Sequence, residues 1–146
     1  MSNELRRWMR LVEDDDEDDV LDPREEAKID IWTMLTRRFG KLETGQSRAA
    51  FRDGRYVIKY PLNSRGERDN IREAKLWREK TLPHPVARCR LFSLRDIPLL
   101  VMEYLEPIAF KDTPEWAAQV DKGVTGENLG RRTSGEIAAY DYAGRD

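Results

Sequence analysis

The chain has 146 residues, with 39% hydrophobic and 37% charged side chains, which suits one compact domain and excludes two large ones. No apolar run approaches the roughly 20 residues that span a bilayer, and the N-terminus lacks the apolar core of a signal peptide, so we expect a cytoplasmic protein without membrane association. A single cysteine and a single histidine exclude an internal disulfide and a Cys/His zinc site.

The net charge of −2 hides an asymmetry along the chain. Residues 1–30 carry a charge of −7, including seven consecutive carboxylates at 13–19, whereas residues 31–146 carry +5. Self-repulsion and the low helix propensity of aspartate predict an acidic, disordered or partly helical tail over residues 1–22. Two interpretations stay open: a tail that solubilises and shields the protein, or a contact for a basic partner.

An amphipathic helix is predicted over 23–39. Asp22 can cap the first backbone amides, Pro23 suits the first helical position, and Glu25 completes a capping box. Apolar residues then recur at helical spacing until Gly40 ends the pattern. We expect this helix to pack at the start of a single domain that spans the rest of the chain, 23–146.

A β-hairpin is predicted next, because two alternating segments, 47–52 and 55–60, flank Asp53-Gly54. Lys59 lies near the end of the second strand, which is otherwise apolar from Tyr56 onward. By itself, such a lysine either extends its ammonium group to solvent or binds an anion.

A second helix is predicted over 64–80, because Ser64 and Glu67 have the spacing of a capping box. Ile71 and Ala74 belong to its buried stripe, and Glu73 lies beside that stripe, where it could face the sheet. A strand lysine followed by a helix glutamate at this separation is the arrangement that positions a lysine on nucleotide phosphates. Lys59 and Glu73 are therefore candidates for such a pair.

In this context the sequence resembles the N-terminal lobe of protein kinases. Tyr56-Val57-Ile58-Lys59 is similar to the strand that carries the phosphate-anchoring lysine, and Asn70-Ile71-Arg72-Glu73 to the helix whose glutamate pairs with it. Pro83-His84-Pro85 resembles the turn into the fourth strand, and residues 99–105 resemble the fifth strand and the hinge that faces adenine. Residues 42–50 occupy the place of the glycine-rich loop.

The resemblance implies an α+β fold with a twisted antiparallel sheet of about five strands, a helix across it, a second small hairpin and the extra helix 23–39. It also implies ATP as a candidate ligand, with Met102 at the gatekeeper position of the adenine site. The residues expected to contact the nucleotide are Lys59, Glu73, Gly45, Ser47, Arg48, Val57, Met102, Glu103 and Leu105.

The last part of the chain extends the resemblance to a metal site. Asn128-Leu129-Gly130 is similar to the catalytic-loop asparagine that enters a hairpin, and residues 138–144 to the strand that leads to the metal-binding Asp-Phe-Gly element. The resemblance therefore implies Asn128 and Asp141 as Mg²⁺ ligands. An ordinary hairpin asparagine and turn aspartate are the equal alternative, and neither zinc nor haem is expected.

Three departures from the kinase pattern bear on activity. Only Gly45 remains of the glycine-rich loop, and Arg48 stands at a glycine position, although its guanidinium could bind phosphate directly. No His-Arg-Asp precedes Asn128, so the candidate catalytic base is Asp121, which lies two residues too early. The sequence also ends shortly after Gly144, without a large helical lobe.

We therefore expect a non-enzymatic, kinase-like (pseudokinase) regulator that binds a protein partner and has a nucleotide as a candidate ligand. Small proteins with this pattern resemble those of bacteriophages, for which the partner would be a host protein. A minimal ATP-dependent phosphotransferase and a structural homodimeric module are the alternatives. Nucleic-acid binding is not expected, because the basic residues are dispersed among acidic ones and no nucleic-acid-binding motif occurs.

Overall fold

The computed structural model describes residues 22–119 and 128–143. The acidic tail, apart from Asp22, and the candidate base Asp121 lie outside the described residues. In chain order the elements are α1 (Pro23–Arg38), β1 (Gly40–Thr44), β2 (Arg48–Asp53), β3 (Tyr56–Pro61), α2 (Ser64–Glu79), β4 (Cys89–Leu94), β5 (Ile97–Glu103), β6 (Glu106–Pro107), a 3₁₀ turn (Phe110–Asp112), α3 (Glu115–Gln119), β7 (Leu129–Arg131) and β8 (Ile137–Ala139). Within these ranges, none of the helices combines the length and the apolar character that crossing a membrane requires.

The strands form two antiparallel sheets. The larger has five strands in the order β1-β2-β3-β5-β4, and the smaller has three in the order β6-β7-β8. Helix α2 connects β3 to β4 and packs against β3, β4 and β5. The predicted α+β fold class is confirmed, and this arrangement is consistent with the N-terminal lobe of a kinase.

Helix α1 begins as predicted. The Asp22 side chain accepts a hydrogen bond from the Arg24 backbone N–H at 3.1 Å, and Pro23 occupies the first turn, where its missing N–H donor costs no intrahelical hydrogen bond. The buried side chains of α1 pack on one face of the larger sheet, where Trp32 meets Phe51 edge to face at 5.5 Å between ring centroids. The apolar core on this face consists of Ala27, Ile31, Met34, Leu35, Ala49, Phe51, Ile58, Tyr60, Leu94, Ile97 and Leu99.

The β2–β3 hairpin turns one residue later than the sequence predicts. Asp53 pairs with Tyr56, so the two-residue turn consists of Gly54 and Arg55 rather than Asp53 and Gly54. Gly54 has a φ of 60°, whereas Arg55 does not adopt a positive φ. A glycine with positive φ at the first turn position alone is typical of the type II′ turn, which fits the twist of the flanking strands.

Helix α2 differs from the prediction at its cap. Asn63, not Ser64, caps the helix, since its side-chain oxygen accepts a hydrogen bond from the Gly66 backbone N–H at 3.0 Å. A Cβ on Gly66 would lie 2.0 Å from the carbonyl oxygen of Ser47. The absence of a side chain there lets the first turn of α2 press against the loop between β1 and β2.

The buried side of α2 also differs from the prediction. Ile71 is 48% exposed, whereas Asn70, Glu73 and Ala74 are buried against the sheet. The prediction placed the apolar Ile71 against the sheet. The sheet surface opposite α2 carries Lys59, however, and the Glu73 carboxylate on the buried side of the helix pairs with this charge. Glu73 does face the sheet and is fully buried in the helix–sheet contact.

Candidate functional site

Lys59 and Glu73 form a buried ion pair between β3 and α2. Alternation along β3 directs Ile58 and Tyr60 into the core under α1, so Lys59 projects from the opposite face toward α2. Its Nζ atom lies 2.9 Å from Glu73 Oε1, and the two residues are only 6% and 0% exposed. Lys59 also donates a hydrogen bond to the backbone carbonyl of Tyr140.

The Glu73 carboxylate joins distant parts of the chain. Besides the bond from Lys59, it accepts two hydrogen bonds from the Arg48 guanidinium, at 2.8 and 3.1 Å. It accepts two more from the backbone N–H groups of Tyr142 and Ala143, at 2.8 and 2.9 Å. Burial alone would raise the pKa of Glu73, but the charges and hydrogen bonds of Lys59 and Arg48 more than offset it and lower the pKa to about 2.

Arg48 bridges this pair to Asp141. Its Nη2 atom donates to Asp141 Oδ1 at 2.7 Å, its Nη1 atom donates to Asn70 Oδ1 at 3.2 Å, and its side chain is 9% exposed. Burial opposes the charge of Arg48, but the carboxylates of Glu73 and Asp141 outweigh it and raise the pKa of Arg48 above its ordinary value. Arg48 thus binds two carboxylates of the protein, where the sequence led us to expect a phosphate ligand.

Asp141 lies just after β8, at the edge of this cluster, with its side chain 48% exposed. Partial burial raises the pKa of Asp141 more than the charges of Lys59 and Arg48 lower it. Its exposed side faces a cavity, so Asp141 connects the buried ion pairs to the surface.

Two adjoining cavities meet at Lys59. One, of about 170 Å³, is a mainly apolar slot beside residues 103–105, the segment that resembles the kinase hinge. The other, of about 220 Å³, is polar and lies under the loop between β1 and β2. They share Glu43, Ala50, Lys59 and Tyr140, and their combined volume lies near the lower end of the about 300–1,000 Å³ that is typical of small-molecule sites.

The structure brings the sequence-predicted residues together around these cavities. The apolar slot is lined by Val57, Lys59, Met102, Glu103 and Leu105. The polar cavity is lined by Gly45, Ser47, Arg48, Lys59, Asn128 and Asp141. Glu73 is the exception, because it lies behind Lys59 and Arg48 and lines neither cavity.

Supporting contacts that the sequence did not reveal hold the walls in place. Ser47 Oγ donates to Asp69 Oδ2 at 3.0 Å, which ties the β1–β2 loop to α2. On the hinge side, the Glu103 carboxylate accepts hydrogen bonds from Arg132 Nε at 2.9 Å and from the Arg88 backbone N–H at 2.8 Å. Burial alone would raise the pKa of Glu103, but these bonds lower it. These contacts join positions that are 15 to 29 residues apart in the sequence, so no local pattern predicts them.

The residues expected to hold Mg²⁺ include a carboxylate that already has a cation beside it. Asn128 and Asp141 line the same cavity, but Asp141 Oδ1 already accepts a hydrogen bond from the guanidinium of Arg48. Among residues 22–119 and 128–143, no group of three or more His, Cys, Asp or Glu side chains is placed to hold a metal ion. A Mg²⁺ ion is bound through one or two carboxylates, phosphates and waters. Glu43 and Asp69 also line this cavity, and Asp69 accepts a hydrogen bond from Ser47, so an ion held by Asp141 would lie beside the guanidinium of Arg48.

Comparison with known proteins gave the following. No protein-family model and no curated protein matches the chain. A solved structure to which the chain is similar is that of the streptomycin–ATP–APH(2")-IIa ternary complex, with a TM-score of 0.42 and 20% sequence identity. The match covers 63% of this chain and 32% of the other, so it spans about a third of the length of that protein.

Proposed function

We propose that this protein is a non-catalytic, kinase-like module that binds an adenine nucleotide in the two adjoining cavities. The observation that carries the proposal is the position of Lys59, where an apolar slot beside the hinge opens into a polar cavity. An apolar slot of this kind suits a purine ring, and an adjoining polar cavity with a buried lysine suits phosphate oxygens.

The assignment as non-catalytic rests on Asp141. Phosphoryl transfer needs a metal ion that neutralises charge on the transferred group. One of the two Asp141 carboxylate oxygens, Oδ1, is hydrogen-bonded to Arg48, so an ion bound at this carboxylate would lie beside a fixed positive charge. A module that binds a nucleotide without consuming it acts by changing what else it binds. This fits the regulatory role toward a protein partner that the departures from the kinase pattern led us to expect.

The test is a thermal unfolding series with ATP. Ligand that binds only the folded state at a hundredfold excess over its Kd stabilises it by about 2.7 kcal/mol, a shift of several degrees for a domain of this size. We expect this shift for the natural sequence and its loss in Lys59→Met, compared with the midpoint of each variant without ligand. Lys75→Met is the matched control, because Lys75 is exposed on α2 and lies outside both cavities. The absence of any shift in the natural sequence, with or without Mg²⁺, would overturn the proposal.

A minimal ATP-dependent phosphotransferase is the second candidate, because Asn128 and Asp141 do line the same cavity as Lys59. The two functions differ in turnover. With labelled ATP we expect neither hydrolysis nor transfer by the natural sequence. Turnover that disappears in Asp141→Asn would support the phosphotransferase and contradict a non-catalytic module.

A further inference from the structure

The guanidinium of Arg48 is fixed against Asp141. It donates to Asp141 at 2.7 Å and also to both oxygens of Glu73, at 2.8 and 3.1 Å. Rotation away from Asp141 would break this two-pronged contact and leave the fully buried Glu73 with less compensation for its charge. Arg48 is therefore a permanent neighbour of Asp141 and not a surface side chain that happens to touch it.

The local fold places Arg48 at this position. Ala50 pairs with Lys59 across β2 and β3. Arg48 lies two residues earlier on β2 and projects from the same face, so its guanidinium reaches the carboxylate that Lys59 also contacts. An uncharged residue at this position would leave Lys59 as the one cation among the described residues in hydrogen-bond contact with Glu73.

The charges of the cluster balance without an added ion. Arg48 and Lys59 contribute two positive charges, and Glu73 and Asp141 contribute two negative charges. Without Arg48 the other three residues would carry a net negative charge. A cation bound at Asp141 would neutralise that charge. A divalent ion at Asp141 would instead add two positive charges beside a buried guanidinium.

The cluster keeps hydrogen-bonding capacity for an anion. Within the described residues, Lys59 Nζ has two acceptors, Glu73 and the Tyr140 carbonyl, so one of its three N–H donors is left to bind a phosphate oxygen. Arg48 and Lys59 both line the polar cavity in which that oxygen would lie.

From this geometry we infer that Arg48 takes the place of a divalent cation, so that the site binds its nucleotide without a metal ion. The inference rests on the proposed function and specifies the form of the ligand: the free nucleotide anion rather than its magnesium complex.

The experiment measures the Kd of ATP by calorimetry in excess EDTA and in excess Mg²⁺. For the natural sequence we expect Mg²⁺ to improve the affinity by less than about threefold. Arg48→Ala removes the cation from Asp141 and should make binding depend on Mg²⁺ by at least about tenfold. Arg48→Lys keeps a positive charge and should stay metal-independent, as should Arg68→Ala, which removes an exposed arginine of α2 outside both cavities.

The outcomes separate the inference from the proposed function. Binding by the natural sequence in Mg²⁺ but not in EDTA overturns the inference and leaves the proposed function in place. No binding under either condition overturns the proposed function and the inference with it. A folded Arg48→Ala variant that stays as metal-independent as the natural sequence overturns the role of Arg48. If Arg48→Ala does not fold, the natural sequence and Arg48→Lys still decide the question, since Mg²⁺-dependent binding by either contradicts the inference.

Discussion

The two faces of the five-stranded sheet are buried in different ways. Under α1 the buried side chains are apolar, with Tyr60 as the one polar-tipped member of that core. Under α2 the sheet meets Glu73, which binds Lys59 and Arg48 in addition to apolar neighbours. Apolar burial stabilises in proportion to the area removed from water, whereas a buried ion network contributes only when every partner is present. Both faces bury apolar side chains, since a second cluster under α2 includes Ala74, Leu100 and Met102, but in the described residues the α2 face adds the buried charges of the Glu73 network.

The largest effect is expected from Glu73→Ala. It leaves Lys59 and Arg48 buried without their shared carboxylate, which should lower the free energy of unfolding by about 3–5 kcal/mol. Urea denaturation followed by circular dichroism measures this loss. Glu79→Ala, at the exposed end of the same helix, is the control and should change stability by less than about 0.5 kcal/mol. Equal losses in both variants would show that the α2 face does not depend on its charges.

The α1 face should respond to Leu35→Ala in a different way. Leu35 is fully buried, so its truncation should cost about 3 kcal/mol through lost burial and a residual cavity. The control is Ile29→Ala, which removes an exposed apolar side chain of the same helix and should be nearly neutral. Although this variant is less stable, ATP should still raise its unfolding temperature by as much as in the natural sequence, because Leu35 lies outside both cavities. A Leu35→Ala variant that folds but is no longer stabilised by ATP would contradict the view that the α1 face does not contribute to ligand binding.

The smallest change in the free energy of unfolding is expected when the pH is lowered. The pKa of Glu73 falls from its ordinary 4.5 to about 2 on folding, so the folded state binds fewer protons than the unfolded state between these values. Its contribution is fully present above pH 5 or so, and about 2 kcal/mol should be lost by about pH 3. Urea titrations at several pH values measure this slope. Leu35→Ala should keep the slope and Glu73→Gln should reduce it; an unchanged slope in Glu73→Gln would assign the acid sensitivity to other groups.

Local patterns predicted the elements well and the partners of the charged side chains poorly. Asp22 and Pro23 begin α1 because a cap needs only neighbouring residues, and the alternation around Lys59 marks β3 for the same reason. By contrast, the contact between Arg48 and Asp141 spans 93 residues, so the resemblance to kinases directed Arg48 toward a phosphate and could not show the carboxylates it binds.

Errors at element ends have the same origin. Asn63 and Ser64 are both competent caps, and the choice between them depends on Gly66 fitting against the Ser47 carbonyl. The turn at Gly54 is displaced because the strand register, not the Asp-Gly pair, decides which residues turn. Ile71 is exposed because Asn70, Glu73 and Ala74 occupy the side of α2 that faces the sheet. The acidic run at 13–19 and the base Asp121 lie outside the described residues and stay predictions.

The hydrogen bonds of Glu73 have a consequence for the order of folding. Its partners lie 25 and 14 residues earlier, at Arg48 and Lys59, and 69 residues later, at Tyr142. Closing the longest of these loops costs chain entropy before any contact compensates for it. Because a carboxylate leaves water only when its partners are assembled, we expect Glu73 to be desolvated late in folding, when the segment around Tyr142 docks. Substitutions of Glu73 should therefore speed unfolding more than they slow folding.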